Sequence, residues 1–232
     1  MPFRFLLPLL ALSFLLGACA GPRVSRARYP RVGVVALIPD RIETKYLGPW
    51  VHSNASTEAV VPGLQESVVT ATSAALRENG YTPVALQLTP ELMEAWTRPP
   101  FHYRSPSERP VIAAALQDLA LAHRVDSLLL VIPQPRALRG EEGRELGLQG
   151  FGTLSERETH TQVYAYLSGR WVDAATLADL SHFSVRQVRQ YGVRFQADFT
   201  KYRAAERTRL LAGMQAMYVQ QARQSIRQLA AP

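Results

Sequence analysis

The sequence predicts an α/β fold: one domain with a mixed sheet of about five strands, packed helices, a long β-hairpin and a long C-terminal helix. Three observations lead there. Residues 31–39 (RVGVVALIP) and 125–133 (VDSLLLVIP) are near-continuous apolar runs, the pattern of strands buried on both faces. A helical segment leads into a strand twice, the rhythm that places parallel strands in one sheet. Residues 161–188 then alternate with period two around a tight turn, and residues 199–229 carry helical periodicity. Hydrophobic content of 47% and charged content of 19% describe a globular chain rather than a disordered one.

Residues 1–18 have the parts of a secretory signal. Arg4 and the free amine give a positive start, residues 5–16 are apolar apart from Pro8 and Ser13, and Gly17 and Ala18 are small. At about 1.5 Å per residue this run is well short of a bilayer core of about 30 Å, so a transmembrane helix is the weaker reading. Cys19 follows and is the one cysteine of the chain. No internal disulfide can form, so the fold must stand on its core. Residues 19–30, basic and punctuated by Pro and Gly, read as a flexible tether, and residues 31–232 as the domain. That length is ample for one core.

Within the domain, residues 40–62 read as a long loop broken by Gly48-Pro49 and Asn54, with room for a short irregular strand. Residues 63–79 are helical, with Leu64, Val68, Ala71 and Ala75 on one stripe and Asn79-Gly80 as the stop. Residues 81–88 form a second strand, which Pro83 pushes to an edge. Residues 89–96 suit a short helix. A longer one opens at residues 107–110, with Ser107 as N-cap and Pro110 in the first turn, and ends near His123. Residues 134–159 hold five glycines and many charges and read as a functional or disordered loop. The hairpin strands cover 161–172 and 177–188, joined at Asp173 to Thr176. In the C-terminal helix, Leu211, Met214, Tyr218, Ala222 and Leu229 share a stripe, with Arg203, Arg207 and Arg223 largely off it. That helix either packs its stripe on the sheet or lies on an anionic membrane surface.

The search for chemistry is mostly negative. There is no G-x-S-x-G elbow, no P-loop and no G-x-G-x-x-G after a strand; Gly150-Phe151-Gly152 lacks a following helix. The five histidines show no metal-binding spacing, and a single cysteine excludes thiolate metal sites. No metal or cofactor is expected. His160 and His182 could face one another across the hairpin, but read better as polar positions on an exposed strand face. Asp40, Asp126 and Asp173 sit at strand boundaries, and capping or turn roles suit them better than catalysis.

The net charge is +7, and only Lys45 and Lys201 among the basic residues are lysine. Residues 186–227 carry nine of the basic residues against Asp198 and Glu206, enough to account for the whole excess. A segment so charged suits anionic partners.

Leu16-Gly17-Ala18-Cys19 resembles the lipobox of bacterial lipoproteins. The resemblance implies a lipoprotein signal peptide cut before Cys19, a diacylglycerol on its thiol, and palmitate-type chains holding the protein on a membrane. Two or three chains anchor stably where one is marginal. Ala20 stands where an aspartate resembles an inner-membrane retention signal, which favours the periplasmic face of the outer membrane, with the inner membrane as the alternative. Three further pieces, RVGVVALIP, LALAHRVDSLLLVIP and VYAYLSGRWVDAATLADLSHFSV, are similar to periplasmic lipoproteins related to the curli secretion lipoprotein and the TolB N-terminal domain, and to uncharacterised proteobacterial lipoproteins. His123-Arg124 departs from the glycine-alanine usual there, and Ala178 stands near an expected glycine. Members of that group are as a rule not enzymes but bind envelope partners. The resemblance implies a non-enzymatic binding or assembly component of the cell envelope. The alternative is a lipid- or glycan-binding module using the glycine-rich loop and the basic C-terminal region. Expected partners are the membrane through Cys19, an envelope protein and anionic lipid, not nucleic acid; the oligomeric state stays open.

Overall fold

A computed structural model describes residues 23–46, 55–97, 109–134, 136–139, 145–156 and 159–231. The signal segment, Cys19, Gly48-Pro49, Asn54 and Ser107 lie outside the described residues.

The two apolar runs form β2 (Arg31–Ala36) and β6 (Ser127–Pro133), which pair in parallel. On the far side of β2 lies β5 (Thr82–Ala85), also parallel and at the sheet edge, where Pro83 needs no donor. The hairpin consists of β10 (Thr161–Asp173) and β11 (Asp179–Tyr191). β11 covers one edge of β10. The other edge is shared: residues 167–173 pair with β6, and residues 162–166 pair with β9 (Gly150–Ser155). β9 in turn pairs with β3 (Arg41–Tyr46), and β3 with β4 (Ala55–Val60). The mixed sheet of eight strands is therefore forked, with the arm β6-β2-β5 and the arm β9-β3-β4 meeting on β10.

This is three strands more than the sequence predicts, and all three lie in segments read as loops. β3 and β4 (RIETKY and ASTEAV) are too polar to read as buried strands, and β9 (GFGTLS) carries two glycines. The stretch 134–159 is largely strand: besides β9 it contains β7 (Arg136–Arg139) and β8 (Glu145–Leu148), an antiparallel ribbon. The reading of it as one glycine-rich loop does not hold.

Helices cover both faces. α1 (Leu64–Glu78) and α4 (Ala204–Leu229) lie on the front, over Val34, Ala36, Leu129, Val131 and the hairpin residues Val163, Leu167 and Trp171. α2 (Pro90–Thr97) and α3 (Pro110–His123) lie on the back of the first arm, where Trp96, Ile112 and Leu116 meet Val35, Leu128 and Leu130. Burying each such aliphatic side chain contributes about 1.5–3 kcal/mol. In α4 the buried stripe runs through Leu210, Met214, Met217, Tyr218, Ala222 and Ile226; Leu211 is only half-buried, so the stripe is rotated slightly from the predicted one. α4 packs on the sheet and on α1, where the Tyr218 and Thr72 hydroxyls share a hydrogen bond of 2.6 Å. The N-cap of α3 is Arg109, with Pro110 following as expected.

The described part of the tether belongs to the fold. β1 (Val24–Ser25) pairs in parallel with β12 (Ala230–Ala231), and Val24 and Tyr29 are buried. The Tyr81 hydroxyl donates to the Val24 carbonyl at 2.6 Å. Alternation of polar and apolar residues over four or five positions was too short a signal to reveal this.

Candidate functional site

The three carboxylates at strand boundaries are structural. Asp40 caps the start of α1, accepting from the Gln65 and Gly63 amides at 2.7 and 3.2 Å. Asp126 accepts from the Arg31 amide at 2.8 Å. Asp173 Oδ1 accepts from the Ala175 and Thr176 amides and the Thr176 hydroxyl, closing the hairpin turn, and Tyr29 donates to Oδ2. Burial pushes the Asp173 carboxyl up, but these hydrogen bonds outweigh it and hold it below its ordinary value.

His160 and His182 do not face each other. His182 lies opposite Arg170 in the hairpin, while His160 precedes β10. Both are exposed. Among the described residues no three His, Cys, Asp or Glu side chains gather as a metal site.

Nor do the basic residues of 186–227 form one face. Arg186 and Arg189 lie on opposite faces of β11, by the alternation of the strand. Arg207 donates to the Thr200 and Tyr202 carbonyls, Arg209 lies over the Tyr191 ring, and Arg223 pairs with Glu78 at 2.9 Å.

The back of the sheet holds a cleft of about 400 Å³ where the hairpin passes the end of β6. It is lined by Ile132, Gln134, Ser168, Arg170, Asp179 and His182. Its charges are already matched: Arg170 Nε and Nη2 reach the two oxygens of Asp179 at 3.2 and 2.5 Å. Such an open recess can seat a polar group; within it the Ser168 hydroxyl donates to the Phe183 carbonyl at 3.2 Å and Gln134 Oε1 accepts from Arg186. The alternation of the hairpin predicts an outward face here; the concavity depends on β6 ending at Pro133.

A second polar cluster lies beneath the back of the other arm. Lys45 Nζ pairs with Glu43 Oε1 at 2.9 Å, the Ser56 hydroxyl donates to that oxygen, and the Tyr164 hydroxyl donates to Glu43 Oε2 at 3.3 Å. Burial, and then the Glu43 charge, push the Tyr164 phenol well above its usual range. Gly152 is required: a Cβ there would collide with the Glu43 carbonyl and the Tyr164 ring. Gly150, at φ 67, occupies the left-handed region. Gly152 thus serves sheet packing, and Gly150 a backbone conformation. Sequence reasoning missed this cluster, because nothing in the sequence separates Lys45, which is buried, from Lys201, which is exposed.

No family model matches the sequence, and no match was found among curated proteins. Solved structures give distant likenesses. The PelC dodecamer from Paraburkholderia phytofirmans is 11% identical over 91% of this chain and 95% of that one, with a TM-score of 0.39. Lipoprotein GNA1162 from Neisseria meningitidis is 14% identical over 79% and 93%, with a TM-score of 0.33. Protein XCC0632 from Xanthomonas campestris, of the DUF330 family, is 10% identical over 91% and 86%, with a TM-score of 0.40. At such identities no residue role transfers.

Proposed function

We propose that the protein is a lipoprotein anchored through Cys19 to the periplasmic face of the outer membrane, where it acts as a non-enzymatic binding or assembly component of the cell envelope. The observation that carries this reading is Leu16-Gly17-Ala18-Cys19 directly after an apolar segment too short to span a bilayer. No helix among the described residues is long and apolar enough to cross a membrane. The back cleft, lined by Gln134, Ser168, Arg170, Asp179 and His182, supports a binding role.

Intact-mass measurement of membrane-fraction protein beside Cys19→Ala tests the anchor. Loss of the first 18 residues with a gain of acyl mass, in wild type alone, is the expected result; an unmodified cysteine overturns it. Crosslinking in membranes followed by co-purification tests the binding role, which fails if no envelope protein is recovered reproducibly.

A further inference from the structure

We infer that the end of the domain carrying β1 and β12 is a docking face for anionic lipid headgroups; this rests on the Cys19 anchor proposed above. The chain leaves the fold at Val24, which is fastened by pairing to Ala230 and by the Tyr81 hydroxyl. Only four residues separate Cys19 from Val24. At no more than about 3.6 Å per residue, this leash reaches less than about 20 Å. A domain of about 200 residues has a radius of gyration near 17 Å, so its diameter exceeds the leash. The leash therefore selects which surface meets the bilayer.

That surface is strongly basic. α1, α3 and α4 all end there, and Arg26, Arg28, Arg77, Arg124 and Arg227 are exposed on it. Arg26 lies against Gly80 at the end of α1, and Arg28 over the Tyr29 ring. None of the five forms an ion pair among the described residues. Of the carboxylates at this end, Glu78 pairs with Arg223, while Asp126 and Asp173 accept from amides and keep their charge. Helix C-termini carry partial negative charge, and Arg31 answers that of α3 by donating to the Arg124 and His123 carbonyls at 2.9 and 3.2 Å. Arg77 and Arg227, in the last turns of α1 and α4, answer those ends with their charge, and the five arginines still outnumber Asp126 and Asp173, the carboxylates here with no cation paired to them among the described residues. At the opposite end Asp40, Glu66 and Glu206 attend the helix N-termini, with Arg41, Arg203 and Arg207 beside them. The anchor end is thus net positive, and an anionic bilayer surface attracts such a face at short range.

The test uses the full acylated protein on phosphatidylethanolamine vesicles containing either about 30% phosphatidylglycerol or the same share of phosphatidylcholine. Because the native cysteine is acylated, a label can be placed singly at Gln228→Cys, on the docking end, or at Val60→Cys, which is 78% exposed at the far end. Energy transfer to a headgroup acceptor should be stronger from position 228. On phosphatidylglycerol it should fall about twofold in about 0.5 M salt and in the triple variant Arg26→Glu, Arg28→Glu, Arg227→Glu. The salt and lipid arms use wild-type sequence at those arginines, so misfolding of the triple variant cannot decide the result. Transfer from position 228 that ignores salt, lipid and charge reversal overturns the docking face and leaves the anchor standing. Failure of the protein to float with either vesicle overturns the anchor, and the docking face with it.

Discussion

In β6 and β2 of the arm β6-β2-β5 the side chains are mostly aliphatic on both faces, and Leu128, Leu129, Leu130, Val34 and Val35 are all buried. In the arm β9-β3-β4 the edge strand β4 is exposed over residues 56–60 save for Ala59, while β9 and β3 are mostly covered, yet they enclose Thr44, Lys45, Thr153 and Ser155, with Glu43 close by. Both arms hang on the same strand, β10. The difference teaches that burial can be stabilised in two ways. The first arm gains by removing apolar area from water. The second loses solvation and recovers it only by matching every polar atom, as Thr153 does by donating to Thr44 at 3.1 Å and Lys45 by pairing with Glu43. No buried side-chain polar atom among the described residues is left without a partner.

The contrast breaks most readily at Trp171. This side chain is wholly buried, meets Tyr81 edge-on, and its Nε1 donates to the Ser127 hydroxyl at 2.9 Å. Trp171→Ala should cost about 3–5 kcal/mol in urea unfolding. A loss under about 1 kcal/mol would show that the apolar arm does not act as one core.

The polar arm should respond differently to single and paired changes. Lys45→Met strips Glu43 of its cation and should cost about 2–3 kcal/mol, whereas adding Glu43→Gln should restore part of the loss. Equal losses in the single and double variants would argue against coupling, and a double-mutant cycle reads this directly.

Gly169 lies in β10 on the side of the first arm, and a Cβ there would strike the Phe183 ring. Gly169→Ala should cost about 1–2 kcal/mol by displacing that ring, measured as a lowered midpoint with an unchanged denaturant slope.

At the turn, the folded Asp173 carboxyl titrates below its ordinary value of 3.8. Its stabilisation is therefore present above that value and is lost as pH falls through the lower folded-state value. Wild type should lose more stability than Asp173→Asn between neutral pH and about pH 3. Parallel losses would place the acid sensitivity elsewhere.

The smallest effect is expected at the rim of the polar arm. Arg41 and Glu58 pair at 2.8 Å but are both half exposed. Arg41→Ala should change stability by less than about 1 kcal/mol, and a larger loss would mean that the edge strand β4 is held by this contact.

How legible each region was follows from the same contrast. RVGVVALIP and SLLLVIP announce buried strands because apolar transfer is a property of the residue itself, and Asn79-Gly80, Pro83 and Pro110 punctuate the chain through their own backbone geometry. RIETKY does not announce a buried strand, because its burial depends on partners more than a hundred residues away in Tyr164 and Thr153. The back cleft was equally illegible, since Ser168, Arg170 and Asp179 read as the ordinary polar side of a hairpin. Cys19 is the reverse case: it is a site named wholly by its sequence neighbours, for a processing signal is read along an extended chain.

By itself, the sequence determined the α/β class, the parallel strands of the first arm, the hairpin, the long final helix and the case for a lipid anchor, all of them set by neighbours within one element. Only the tertiary structure decided that the sheet forks on β10, that residues 24–29 are fastened to the C-terminus, and that arginines scattered from Arg26 to Arg227 share one end. Those outcomes depend on contacts between residues far apart in the chain, and no local preference encodes them.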